Sequence, residues 1–483
     1  MTDHIVQATS TLISHFPEAP LAAALRRAYP YHIMPPPLHS KGAGQRHDFA
    51  VVADAMRRSG IDDNVAGGKG TGTEPPSTNL GYRLCRVSRA AKGKHKEGGE
   101  GGVELMFKSE GGVEASVVST LGADPRPVQC PDQGDVVTSE ASGRAFVYNP
   151  SATRLISDVC QDLAVGATPC IVGGKGCGKS AVVSEVAHLL GYSGSTTSIH
   201  VYKDMGARDL LVRRTTSETG DSMWELSPLL KTAVSGGLAV LDGVHRLSRE
   251  TLSSLAPLLH DGMVSLPQGG QLMSSARFDQ LVVTSGLSAG EMGERGILRI
   301  DPSFRLIAIS APPTAKANWL TAETASLFSF HQFPIPTEGD VSAILHSVCS
   351  NSVSPAIIDN VLAVAKAVDT LKDDAALHGA LTLSLRQIIR MARRLAAYPD
   401  DGFLPLIQRT CMTSFLPSQV RKAFDDKVKS VVPSSMSSSS SSGDSLKQRL
   451  NITIDGGMLD IGGTSLPLRV PKNLAKVSFV RHG

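Results

Sequence analysis

Apolar residues fall into two regimes along the chain, short unbroken runs up to about Ser310 and helically spaced positions after Pro336. Each regime predicts its own kind of element. PCIVGG from Pro169, GGLAVLD from Gly236 to Asp242 and FRLIAIS from Phe304 to Ser310 read as strands buried on both faces. A helix from Thr153 to Leu163 precedes the first run, and SAVVSEVAHLLG, closed by Gly191, follows it. Strands alternating with helices predict an α/β fold on a parallel sheet. Beyond Pro336, VSAILHSV, PAIIDNVLAVAKAVDTL and SLRQIIRMARRLAAY predict a small all-α lid. Two insertions, TSETGDSMWEL with Gly220 at its tip and MVSLPQGGQLM with Gly269 and Gly270, read as β-hairpins.

Outside this region the pattern is sparser. PLAAALRRAYP, ending at Pro30, predicts a short helix, and apolar residues recur at helical spacing from Phe49 to Met56. From 61 to 145 glycine, lysine, glutamate and proline dominate, a composition that predicts a largely disordered linker. A serine-rich spacer over 429–447 leads to NITIDGGMLDIGGTSLPL, whose alternation predicts a β-hairpin within 448–483.

The formal charge of +3 over 483 residues gives no reason to expect nucleic acid or an anionic membrane as partner. The seven cysteines show no zinc-ligand spacing, and their odd number fits a reducing compartment better than a disulfide framework. No apolar run approaches the roughly 20 residues that span a bilayer, and the first residues show no targeting segment.

The chemistry is carried by Gly173, Gly174, Lys175, Gly176, Cys177, Gly178, Lys179 and Ser180, a complete G-x-x-x-x-G-K-[ST] loop between a predicted strand and a predicted helix. Glycines let the backbone amides close on phosphates, and the helix adds its positive end. Lys179 supplies a charge between the β- and γ-phosphates of ATP, and Ser180 a hydroxyl for Mg²⁺. Asp242, at the carboxyl end of its strand, either serves the Mg²⁺ or caps the following turn.

The segments IVGGKGCGKS, YKDMGARDLL, WELSPLLKTAVSGGLAVLDGVHR, LLHDGMVSLPQGGQLMSSARFDQL, DPSFRLIAI and SLRQIIRMARRL occur in an order that resembles the dynein-related and MoxR-like branch of AAA+ ATPases. The resemblance implies a P-loop α/β domain over 146–335, a helical lid over 336–428, and a place in a multi-module, oligomeric, protein-remodelling ATPase. It implies further that 1–60 is the helical tail of a preceding module and 448–483 the lead-in of a truncated following one. Neighbouring AAA+ modules or protein partners are implied, and a mitochondrial location. Lys179, Ser180 and Asp242 match the family's phosphate and metal residues, and Arg386 matches its lid arginine, which senses the γ-phosphate.

Three positions depart from the family. Gly243 stands where a water-orienting Glu follows the metal-side Asp, Ser310 and Ala311 replace a polar strand-end residue, and the arginine finger is missing from LFSF around Ser329. His245 is either a substitute for positioning water or a surface or capping histidine. Arg277 and Arg305 either reach a neighbouring module's site or make structural salt bridges. An ATPase module and a non-hydrolysing, structural or allosteric nucleotide-binding module are therefore both consistent with the residues, whereas the lid and hairpins argue against a P-loop kinase.

Overall fold

The computed structural model describes residues 3–30, 78–90, 102–109, 111–122, 128–130, 136–139, 144–216, 220–266, 269–314, 318–349, 353–370, 383–398, 403–431, 452–455, 458–461 and 464–467. Two compact units emerge, one of Met1–Leu362 with Leu383–Arg393 and one of Ala363–Thr382 with Arg394–Gly483.

The first unit opens with helices α1 (Asp3–His15) and α2 (Leu21–Ala28). Strands β1 (Tyr82–Arg89), β2 (Gly102–Ser109), β3 (Glu114–Thr120) and β4 (Val128–Gln129) form an antiparallel sheet in the order β3-β2-β1-β4. The expectation of a largely disordered linker over 61–145 is thereby corrected for its described residues. Each long strand alternates inward and outward, and Leu84, Val87, Val103, Leu105, Phe107 and Val117 are buried. Glycine and lysine in the intervening stretches dominate the average composition and mask that alternation. The described residues of 1–60 also belong here, because Leu12, Phe16, Ala23 and Ala24 pack into the same core. The apolar pattern expected at Phe49–Met56 lies outside the described residues.

After a short hairpin, β5 (Val136–Ser139) with β6 (Arg144–Val147), the chain enters helix α3 (Pro150–Ala164), where the Asn149 side chain accepts from Ala152 N at 2.7 Å and Pro150 occupies the first turn. Strand β7 (Pro169–Gly173), helix α4 (Lys179–Leu189) and strand β8 (Thr196–His200) follow. The predicted hairpin around Gly220 is β9 (Val212–Thr216) with β10 (Ser222–Leu226). Then come β11 (Leu238–Asp242), the second predicted hairpin β12 (Met263–Ser265) with β13 (Gln271–Met273), β14 (Ile297–Arg299), β15 (Arg305–Ser310) and β16 (Ser329–Phe333). The central sheet is parallel throughout, in the order β16-β7-β15-β11-β8. Its alternation divides two cores: Ile171, Leu238, Val240, Ile307 and Ile309 face α3, α4 and the antiparallel sheet, whereas Cys170, Val172, Ala239, Leu241 and Ala308 face the opposite layer.

A buried ionic cluster ties this frame together. Arg27, fully buried on α2, donates to Asp158 at 2.7 Å and Asp162 at 3.0 Å on α3, and His331 of β16 contacts Asp162 at 2.6 Å. Burial pushes the Asp158 carboxyl up despite Arg27, whereas at Asp162 burial is outweighed by Arg27 and His331, which hold it below the usual range. The opposite directions follow from direct bonding, since Asp162 is held by both Arg27 and His331 whereas Asp158 is held by Arg27 alone. Strand β16, anchored in this way, ends at Phe333 beside Gly173.

The predicted lid begins with helices Glu338–Cys349 and Pro355–Thr370 and continues in α5 (Leu385–Ala397), whose first turns belong to the first unit. The second unit carries helices Phe403–Thr410 and Ser418–Val431 and an antiparallel sheet of Ile452–Asp455, Met458–Ile461 and Thr464–Pro467. From 432 to 447 the serine-rich spacer lies outside the described residues. No helix among the described residues is long and apolar enough to cross a membrane.

Candidate functional site

The phosphate loop leaves the buried strand β7 and turns into α4 through two left-handed glycines, Gly176 at φ +76° and Gly178 at φ +109°. A side chain at Gly173 would place its Cβ 2.8 Å from Phe333 O, and one at Gly176 would fall 2.6 Å from the Ser384 Cβ. The amides of Lys175, Gly176, Cys177 and Gly178 donate no hydrogen bond among the described residues, so the loop presents a row of free N–H groups at a helix start. Lys179 Nζ donates to Gly173 O at 2.6 Å and Gly174 O at 2.7 Å, which holds its charge over the loop. Ser180, one residue further on, is exposed.

Parallel pairing brings Asp242 to the same rim. It pairs with Ile309, which in turn pairs with Ile171, two residues before the loop begins. Its carboxylate, 37% exposed, has His200 Nδ1 at 3.4 Å, from the last residue of β8. Sequence reasoning passed over His200, although its place at the end of a neighbouring strand is the available signal.

Past Asp242 the backbone turns left-handed at Gly243, with φ +95° and ψ +35°, and enters a 3₁₀ turn over Val244–Arg246. Gly243 N donates to Ile309 O at 2.8 Å, which pins this turn to β15. His245, half-buried in the turn, accepts from Ala311 N at Nδ1, 3.1 Å away. Burial and then the positive charges of Arg246, Lys179 and Lys175 push its pKa down, against Asp242, the same direction that an Nδ1 accepting an N–H requires. At the end of β15, Ser310 is buried and its hydroxyl donates to Ala311 O at 2.8 Å.

Arg386 lies at the start of α5 and is exposed. Two residues before it, Ser384 touches the loop at Gly176, a contact that single-sequence reading did not reveal. Ser384 Oγ donates to Gln387 Oε1 at 2.7 Å and so fixes the helix start. Ser329 is buried, its amide donating to Thr168 O at 2.8 Å. Arg305 donates to Leu163 O, Pro302 O, Phe304 O and Ser119 Oγ at 2.8–3.0 Å. It thus joins β15 to α3 and β3 through neutral acceptors, in place of a salt bridge. Arg277 reaches Met263 Sδ at 3.5 Å.

The sequence profile of the AAA domain (dynein-related subfamily) matches residues 169–328. The chain is 32% identical over 385 residues to von Willebrand factor A domain-containing protein 8 of Mus musculus, a match covering 78% of this chain and 20% of that one. It is 28% identical over 163 residues to the denitrification regulatory protein NirQ of Stutzerimonas stutzeri, covering 32% of this chain and 56% of NirQ. Midasin of Dictyostelium discoideum is 24% identical over 143 residues, 29% of this chain and 2% of midasin. The chain therefore spans a fifth of the first of these relatives.

Proposed function

We propose that this chain, whose residues 169–328 are an AAA domain of the dynein-related subfamily, binds ATP with Mg²⁺ at Gly173–Ser180 and hydrolyses it slowly or not at all. The observation that carries this reading is the loop's geometry: free amides, two left-handed glycines and the Lys179 ammonium all converge where α4 begins. Such a cradle suits a polyphosphate: Gly173 and Gly176 leave no room for a Cβ, and Gly176 and Gly178 are left-handed.

The exposed Ser180 hydroxyl and the part-exposed Asp242 carboxylate are oxygen donors of the kind that hold a hard cation together with substrate phosphates. Bound Mg²⁺ would neutralise phosphate charge. Lys179 would pair with the phosphates and Arg386, carried towards the loop by Ser384, would contact the γ-phosphate. Turnover needs more than this. Gly243 cannot polarise water, and general-base assistance is typically worth about 10² to 10⁴ in rate. No arginine stands at the buried Ser329, and a finger is worth about 10³ to 10⁵. ATP then acts as a structural or allosteric ligand of the module, within a larger oligomeric assembly of AAA+ modules or protein partners.

The test is calorimetric titration with ATP·Mg²⁺ beside steady-state phosphate release. Saturable binding is expected, with turnover below about 0.1 s⁻¹ against a typical enzyme value near 10 s⁻¹. Absence of binding would overturn the nucleotide reading, and brisk turnover would overturn the ligand role.

A further inference from the structure

The end of β15 offers no side chain to a phosphate: Ser310 is buried with its hydroxyl turned to Ala311 O, and Ala311 ends at a methyl group. The Ala311 carbonyl also accepts from Trp319 Nε1 at 3.2 Å, so the neighbouring backbone is held from two directions. Its amide donates to His245 Nδ1. A ring nitrogen that accepts an N–H carries no proton, so the neutral imidazole keeps its single proton on Nε2. That Nε2–H makes no hydrogen bond among the described residues. His245 stands three residues past Asp242 and is bonded just beyond the end of β15, the strand that lies between β11 and β7, whose own end carries the phosphate loop.

We propose that His245 is a γ-phosphate contact of this site on the sheet side, opposite in origin to Arg386 of α5, its Nε2–H supplying the donor that the end of β15 lacks. The inference rests on ATP binding at the phosphate loop. It assigns His245 the task of telling ATP from ADP, since only ATP offers a terminal phosphate oxygen in that place. It also separates binding from turnover. With Nδ1 engaged by Ala311 and Nε2 protonated, the ring has no free lone pair to take a proton from attacking water.

The experiment compares ATP·Mg²⁺ and ADP·Mg²⁺ affinities by calorimetry for the parent, His245→Ala, His245→Asn and His245→Gln. An Asn carbonyl oxygen lies near the Nδ1 position and retains the Ala311 bond, whereas a Gln amide nitrogen extends to the Nε2 position. If His245 reads the γ-phosphate, Ala and Asn weaken ATP binding about tenfold to a hundredfold with ADP unchanged, and Gln recovers most of the loss. Retention of the parent's ATP preference by Asn, or an equal fall for both nucleotides, would overturn the proposal and leave His245 a structural acceptor. A parent that binds neither nucleotide would bring down the phosphate-loop reading itself. Should the variants fail to fold, ¹⁵N NMR of the parent's His245 ring decides: its Nε2 signal is expected to shift with a non-hydrolysable ATP analogue and not with ADP, and an unmoved signal would refute the contact.

Discussion

The two halves of the cleft rim, both built on one parallel sheet, differ in what they retain. At β7 the loop keeps every part that phosphate binding requires: strand, glycine turn, free amides, lysine and helix start. At the ends of β11 and β15 a part-exposed Asp242 is followed by a left-handed glycine, and β15 ends in Ser310 and Ala311, tied to each other and to His245. On the proposed reading, nucleotide capture and water activation are assigned to different strand ends, so that one can be changed without the other.

The comparison holds only if the rims can fail independently of their frame. The largest effect is expected from Arg27→Ala, which strands the Asp158 and Asp162 carboxylates without their cation. Breaking such a buried cluster costs about 3–5 kcal/mol, measurable by chemical denaturation. Molecules that remain folded should keep the parent's ratio of ATP to ADP affinity. A loss under about 1 kcal/mol would mean that the cluster relaxes easily and is not the anchor of β16.

Lys179→Ala strikes the intact half directly. Removal of the ammonium that Gly173 O and Gly174 O hold over the loop should weaken ATP·Mg²⁺ binding about a hundredfold or more in calorimetry. Unchanged affinity would show that nucleotide, if bound, sits elsewhere.

The intact half was legible in the sequence because its signals are local: a motif of eight consecutive residues, bounded by a strand and a helix. The altered half was legible only as a substitution. That Gly243 lies at φ +95° depends on its amide bonding to Ile309 O, and that His245 accepts from Ala311 depends on a residue 66 positions away. The Arg27 cluster joins positions 131 and 135 residues apart, with nothing in PLAAALRRAYP to announce it. The antiparallel sheet was a different kind of miss, since YRLCRVSR, GVELMFKS and EASVVST alternate visibly once composition is not averaged across the glycine-rich stretches between them.

The altered half can be tested by putting back the acid. Gly243→Glu would force an L-residue into the left-handed region, with its Cβ 3.4 Å from the Arg246 side chain, at a cost of about 1–2 kcal/mol. Gly243→Ala should lose a similar amount in a denaturation series, because the strain lies in the backbone. Phosphate release by Gly243→Glu should stay near the parent's, since the 3₁₀ turn aims that position away from the geometry of an extended strand end. A large rise in turnover would show instead that a missing carboxylate was the sole deficit of this rim.

The smallest effect belongs to Arg386, two residues past the Ser384 that touches the loop. Its helix begins against the loop, for Ser384 lies within 2.6 Å of the Cβ that Gly176 does not have, and the Ser384–Gln387 bond fixes the direction in which the next residues leave. Arg386 is exposed, so a contact to phosphate would be partly screened by solvent and weaker than that of Lys179. Arg386→Ala should reduce ATP affinity about threefold to tenfold while ADP affinity falls less, because the β-phosphate is already held by the loop. Calorimetry with both nucleotides separates two origins for any loss. A selective fall for ATP would join the lid to the γ-phosphate side of the cleft, so that loop, turn and lid read successive phosphates. An equal fall for both would mean that Arg386 supports the start of α5 and that ATP is distinguished from ADP at the β11–β15 rim alone.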